Sequence, residues 1–158
     1  MRVRVPPPVP PCRDLRTMTA TDTPLHISIA AAVLSRADGR VLVVRKRGSG
    51  IFMQPGGKIE PGEKPADALV RELAEELRIA VDAGAASFLG EFAAPAANEA
   101  GAIVTAQIFA MPFDGAVSPA AEIEEARWID PAAPGDIVLA ELSRNHVLPA
   151  WLARGGGD

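Results

Sequence analysis

"PGGKIEPGEKPADALVRELAEELRI", residues 55–79, joins a glycine-rich turn to a helix dense in carboxylates. Gly56 and Gly57 permit positive φ and carry no side chain, so this part reads as a loop whose main chain a ligand can approach. Pro61-Gly62 supplies a second turn, and Pro65 suits the first turn of a helix, where its missing N–H costs little. From Ala66 to Leu77 the residues are mostly Ala, Leu, Arg and Glu, all good helix formers.

The helix has two distinct faces. With Glu72 at zero and ~100° per residue, Glu76 falls near about +40° and Glu75 near about −60°. Leu69, Leu73 and Leu77 lie from about +60° to +140°, with Ala66 and Val70 close by. One side is therefore buried, and the neighbouring face presents carboxylates that Glu63 can join from just before the helix. Like charges at i,i+3 and i,i+4 repel by roughly 0.2–0.5 kcal/mol per pair. A bound divalent cation reverses that penalty. Hard cations such as Mg²⁺ take oxygen ligands, usually keep several waters and share their shell with substrate phosphates. The cluster thus predicts a metal and a phosphate-bearing substrate together. Glutamates on a helix are ordinarily a solvated face; it is their joint spacing with the glycines that changes the reading.

That spacing resembles the signature of the Nudix hydrolases, G-x5-E-x7-R-E-U-x-E-E-x-G-U with U aliphatic. Here it runs through Gly57, Glu63, Arg71, Glu72, Leu73, Glu75, Glu76 and Ile79. The last glycine is replaced by Arg78. A glycine there suits a helix-ending turn with positive φ. A non-glycine in the left-handed region costs ~1–2 kcal/mol, so either the turn is strained or the helix ends differently.

The resemblance implies an α/β fold, the Nudix α/β/α sandwich with a mixed β-sheet, over residues 23–153. It implies Glu72, Glu75 and Glu76 as metal-binding carboxylates, with Glu63 a further participant and a main-chain carbonyl of Gly56 or Gly57 completing the shell. Arg71 would orient the glutamates by charge-assisted hydrogen bonds. Lys58 matches a lysine common in "GGK" members and could touch a phosphate; a solvated lysine is its ordinary alternative. The implied cofactor is Mg²⁺, with Mn²⁺ as the alternative. The implied reaction is hydrolysis of a diphosphate linkage in a nucleotide or another nucleoside-diphosphate-linked small molecule, with a glutamate as general base. Which glutamate serves varies within the family.

Substrate signals are thinner. "QPGGKIEPGE" is similar to the MutT-type members, which cleave nucleoside triphosphates, 8-oxo-dGTP among them, to monophosphate and pyrophosphate. "RNHVLPAWL" resembles the segment where such members carry a base-reading asparagine, which makes Asn145 the candidate; capping the last helix is its ordinary alternative. Arg45, with Lys46 and Arg47, ends a predicted strand and could receive phosphates. Family members often place another acid near "AAEIEEARWI", where Glu122 and Glu125 are the candidates and Trp128 reads as core. Pro95, 16 residues after Ile79, resembles a marker of the ADP-ribose-cleaving branch, so ADP-ribose or a nucleotide sugar ranks second. The tyrosine associated with diadenosine-polyphosphate members is absent, since the chain has none. A Nudix-fold binding module without catalysis is the rival of another class. A calcium loop would need acids at alternating positions around a glycine, where "GGKIEPGEK" has lysines.

Around this stretch the chain reads as strands. "HISIAAAVLS" and "RVLVVRKR" form a hairpin through Asp38-Gly39. "ASFLGEFAAP" and "AIVTAQIFAMPF" flank a loop, "EEARWID" is a short strand, and "GDIVLAELSRNHVLPAWLAR" has a helical pattern that Pro149 breaks or kinks. Strands on both sides of a helix, then a terminal helix, give a mixed sheet between helices.

The whole-chain properties agree. The 158 residues suit one domain. A net charge of −4 gives no basic excess for nucleic acid. No apolar run approaches the ~20 residues of a membrane-spanning helix. The single cysteine, Cys12, excludes an internal disulfide and suits a reducing compartment, so a cytoplasmic location is expected. Residues 1–22, rich in proline and arginine, read as a disordered extension, with Met18 an alternative start, and 154–158 as a flexible tail. Homodimers are common in the resembled family, but no interface is legible here.

Overall fold

A computed structural model describes residues 25–155. The readings of residues 1–22, Met18 and Cys12, and most of the 154–158 tail, lie outside the described residues. The strands are β1 (Leu25–Ser35), β2 (Val41–Lys46), β3 (Ile51–Met53), β4 (Gly56–Lys58), β5 (Ser87–Pro95), β6 (Ala102–Pro112), β7 (Ile123–Ile129) and β8 (Val138–Leu139). Helix α1 spans Pro65–Leu77, a 3₁₀ turn covers Ala83–Ala85, a π-turn covers Ser143–Val147, and α2 spans Leu148–Ala153.

One mixed sheet runs in the order β5-β6-β1-β2-β3-β8, with β4 added on β1 and β7 on β2. β1 and β6 are parallel and in continuous register from Leu25↔Ala102 to Ser35↔Pro112. Alternation along β1 supplies both faces of the sheet. Ala30, Ala32 and Leu34 join Leu69, Leu73 and Leu77 of α1 in one core. Ala31 and Val33 join Val147, Leu148 and Trp151 of the C-terminal helix in the other. Two apolar layers, each closed by a helix, make the expected α/β/α sandwich.

The hairpin at Asp38-Gly39 is present, but β1 and β2 pair only at Ser35↔Val41. Beyond that point they part: β1 takes β4 as its antiparallel partner, while β2 takes β3 and β7. The wedge between the parting strands is what opens the cleft described below.

Three short elements differ from the sequence reading. The "GGK" stretch is not a loop: it is strand β4, paired as Ile29↔Lys58, Ala30↔Gly57 and Ala31↔Gly56. The segment 135–154 is helical only in its later part, because Val138–Leu139 pairs in parallel with β3. Pro149 sits in the first turn of α2, and the helix changes from π to α geometry directly before it. The Leu148 N–H reaches back to the Ser143 carbonyl across a wide π-turn, leaving room for a residue without an N–H.

Candidate active site

Helix α1 starts at Pro65 without a side-chain cap and stops at Arg78, whose φ of 56° and ψ of 39° are left-handed. The Arg78 N–H closes the last turn on the Ala74 carbonyl at 3.1 Å, and Ile79 is buried in the same core as Leu73. The glycine's geometry is thus retained by an arginine, with its strain. The connection between β6 and β7 ties itself to the helix end. Ser118 N–H donates to the Leu77 carbonyl (3.0 Å) and Ala120 N–H to that of Glu76 (2.8 Å). Ala121, also left-handed at φ 54°, turns the chain so that Glu122 faces α1.

The two glycines of β4 serve different neighbours. Gly56 has φ 150°, and a Cβ there would overlap the Ala30 carbonyl oxygen and the Ala31 Cα of β1. A Cβ on Gly57 would instead overlap the Glu72 carboxylate. The first glycine allows strand pairing; the second allows a glutamate to lie against the backbone. Both glycines also line the cleft described below.

Arg71 organises the carboxylates. Its Nε and Nη2 donate to Glu63 at 2.9 and 2.8 Å, Nη1 donates to Glu72 at 3.0 Å, and Nη2 also reaches the Lys58 carbonyl at 3.0 Å. That fork, with the Glu60 N–H, holds the Glu63 carboxyl down at about 2. Burial pushes Glu72 up against the opposing pull of Arg71. Glu75 is exposed and 3.8 Å from the Arg71 guanidinium.

Glu76 is only 3% exposed, and its Oε1 accepts the Gly56 N–H at 3.2 Å. Burial raises it to about 8; Glu72 and Glu122 add to the rise, while the Gly56 N–H and Lys46 oppose it. A buried carboxylate beside two others is a donor set for a hard cation. Among the described residues no three acidic, histidine or cysteine side chains form a ready-made cage. Glu72 is turned to Arg71 and Glu76 to Gly56 instead. The set still fits Mg²⁺, which needs few protein ligands and keeps its waters.

A cleft of about 840 Å³ opens beside these groups. Glu72, Glu75, Glu122, Arg71, Lys46 and Lys58 are among its charged lining residues. Ile27, Ile29, Met53, Val104 and Leu142 are among its apolar lining residues, and Pro95 with residues 96–99 also lines it.

The structure separates the remaining candidates. Lys46 lines the cleft and pairs with Glu122 at 3.3 Å. Arg45, one residue earlier, points to the other face of β2 and does not reach the cleft. It bonds Glu125 at 3.2 Å and the Ser49 carbonyl at 3.0 Å. Glu125 is gripped by Arg45 and Arg127, which holds its carboxyl below the usual range, the Arg127 bond contributing most. Glu122, not Glu125, is therefore the acid brought to the glutamates of α1. Asn145 is exposed in the π-turn, outside the cleft wall, and caps no helix. Trp128 packs on the α1 core under the Arg36 guanidinium, 4.0 Å away. Two cleft residues were not singled out by the sequence reading: Gln54 and Ser143, both buried and joined by a hydrogen bond. Only their sequence-distant meeting across the sheet exposes them.

The chain is similar to known proteins. The NUDIX domain model matches residues 24–150. A MutT-like protein of Streptomyces ambofaciens is 31% identical over 112 residues, covering 71% of this chain and 69% of that protein. The CTP pyrophosphohydrolase of Escherichia coli K12 is 32% identical over 127 residues, covering 73% of this chain and 89% of that protein. The solution structure of the E. coli ORF135 protein matches with a TM-score of 0.66 at 28% identity, over 83% of this chain and 91% of that one. No helix among the described residues is long and apolar enough to cross a membrane. With the signature seated on one helix and the domain match spanning most of its length, the chain belongs to the Nudix family, hydrolases of phosphorus-containing anhydrides.

Proposed function

We propose that this protein is a metal-dependent nucleoside triphosphate pyrophosphohydrolase, releasing a nucleoside monophosphate and pyrophosphate. The observation that carries the reading is one cleft whose lining combines acidic and basic side chains with a set of apolar ones. A triphosphate suits the charged side chains and a base with its sugar the apolar ones. The similarity to a CTP pyrophosphohydrolase supports the same class.

Glu72, Glu75 and Glu76 would hold the cation, with Glu122 near and a β4 carbonyl available. Bound there, a divalent cation neutralises phosphate charge and lowers the pKa of a water. The chain's own residues do the rest. Arg71 holds Glu63 and Glu72 by charge-assisted hydrogen bonds and so orients the acidic face. Lys46 and Lys58 reach the cleft as phosphate partners. A carboxylate of the cluster accepts the proton as the water oxygen bonds to phosphorus. The bridging P–O bond breaks, and its electron pair leaves with the departing group.

A substrate panel with Mg²⁺ tests the reading, using common and 8-oxo nucleoside triphosphates, ADP-ribose and a nucleotide sugar. Pyrophosphate release, read against orthophosphate after phosphatase coupling, is the expected result. Turnover of ADP-ribose alone would overturn it in favour of the branch that Pro95, on the cleft wall, suggests. Silence across the panel from a folded protein would favour a nucleotide-binding module.

A further inference from the structure

Gln54 and Ser143 lie 89 residues apart and meet at the cleft, where Ser143 Oγ donates to Gln54 Oε1. Gln54 is 7% exposed and Ser143 1%. The Gln54 Nε2 has no hydrogen-bond partner. Buried amide groups are nearly always paired, so a group left open on a ligand cleft asks for a partner from outside the chain. Position agrees with this. Gln54 follows β3 and precedes β4, one proline before the glycines that seat Glu72 and Glu76. Ser143 opens the π-turn, a widened stretch of helix of the kind that often marks functional sites. Around the pair the cleft wall is apolar, built by Met53, Ala140, Leu142 and Ala31.

Building on the nucleotide reading above, we propose that Gln54 is a specificity residue that holds the nucleobase, its Nε2 donating to a ring-edge acceptor, with Ser143 fixing the amide from behind. Such an acceptor is a carbonyl oxygen or an unprotonated ring nitrogen. Nε2 is shielded from water, so meeting a base takes a small turn about the terminal torsion, which is soft in glutamine. The Ser143 hydroxyl follows that turn, because it is a free rotor able to donate or accept. Arg71, Lys46 and the glutamates deal with phosphate and metal; Gln54 deals with the base alone.

The test follows the Gln54 side-chain amide by ¹H–¹⁵N NMR while CMP, UMP, GMP and AMP are added to the full chain with Mg²⁺. The amide pair is assigned from its loss in Gln54→Glu, which conserves shape. The expected result is saturable movement of that pair with at least one monophosphate, reduced in Ser143→Ala. In turnover, Gln54→Met should raise KM for the preferred triphosphate roughly tenfold more than for ribose 5-triphosphate, which has no base. A nucleotide that binds without moving the Gln54 amide overturns the proposal, as does equal loss with and without a base. Failure of all four monophosphates to bind also overturns it. Binding with the amide shift intact, but no triphosphate turnover, would overturn the pyrophosphohydrolase reading and leave Gln54 as the base contact.

Discussion

Arg71 and Glu63, eight residues apart, meet through two parallel hydrogen bonds of 2.9 and 2.8 Å, and the same guanidinium reaches Glu72 at 3.0 Å. A lysine in place of Arg71 carries one compact charge and cannot span both carboxylates. Arg71→Lys should therefore stay folded and lose about 10- to 100-fold in metal affinity or turnover, the cost typical of residues that orient metal ligands. Mg²⁺ dependence of hydrolysis, with Mn²⁺ calorimetry, checks this. Unchanged values would remove Arg71 from the positioning role.

Gly56 and Gly57 are adjacent and should fail in different ways. An alanine at Gly56 meets the β1 backbone and must hold φ near 150°, so Gly56→Ala should cost about 1–3 kcal/mol of stability. An alanine at Gly57 meets a side chain, Glu72, that can swing away. Gly57→Ala should keep most of its stability and lose metal-dependent turnover. Thermal unfolding and activity of the two variants, measured together, decide the matter; matching profiles would contradict it.

These glycines also show how far the sequence reached. The helix over 65–77, its apolar face and the register of Glu72, Glu75 and Glu76 were legible because periodicity and spacing are local properties. That Gly56-Gly57-Lys58 is a strand was not legible, since three residues carry no period and their pairing with β1 is a long-range choice. The same limit hid β8 inside a helical pattern. Arg45 and Lys46 looked equivalent on paper; strand alternation sends one to Glu125 and the other to the cleft. Gln54 and Ser143 were not singled out by the sequence reading.

Glu122 and Glu125 permit a direct comparison. Glu122 faces the glutamates of α1 from the cleft wall, whereas Glu125 is held between Arg45 and Arg127 on the other side. Glu122→Gln should lower turnover measurably, and Glu125→Gln should leave it within about twofold. The pairs of Glu125 are partly solvated, so their loss should cost no more than about 1 kcal/mol. Steady-state kinetics of both variants are the check, and equal losses would put the acidic contribution elsewhere.

Glu76 gives a pH signature in metal-free protein. Burial lifts its carboxyl from 4.5 to about 8, so the folded chain holds a proton that the unfolded chain has released across that window. Stability then falls as pH rises from about 4.5 to about 8, because the native state binds the extra proton. Denaturant midpoints in EDTA should drop between pH 5 and 8, and Glu76→Gln should flatten that slope while still accepting the Gly56 N–H. Added Mg²⁺ should recover the loss at pH 8 in the unmodified protein. A flat profile without metal would mean that Glu76 is charged in the folded state.

Arg78 offers the opposite sign. At φ 56° it pays for a left-handed turn that a glycine would adopt freely, a cost of ~1–2 kcal/mol. Part of the gain from Arg78→Gly is offset by the greater freedom of glycine in the unfolded chain, worth about 0.4–1 kcal/mol. A net stabilisation of up to about 1 kcal/mol remains, with the Ala74 carbonyl still capped by residue 78. Metal affinity should hold, because Arg78 is exposed and makes no side-chain bond to the carboxylates, which Arg71 holds in place instead. Chemical denaturation of Arg78→Gly beside the parent tests this directly. A clear loss of stability would show that Arg78 supplies a contact that outweighs its strained backbone.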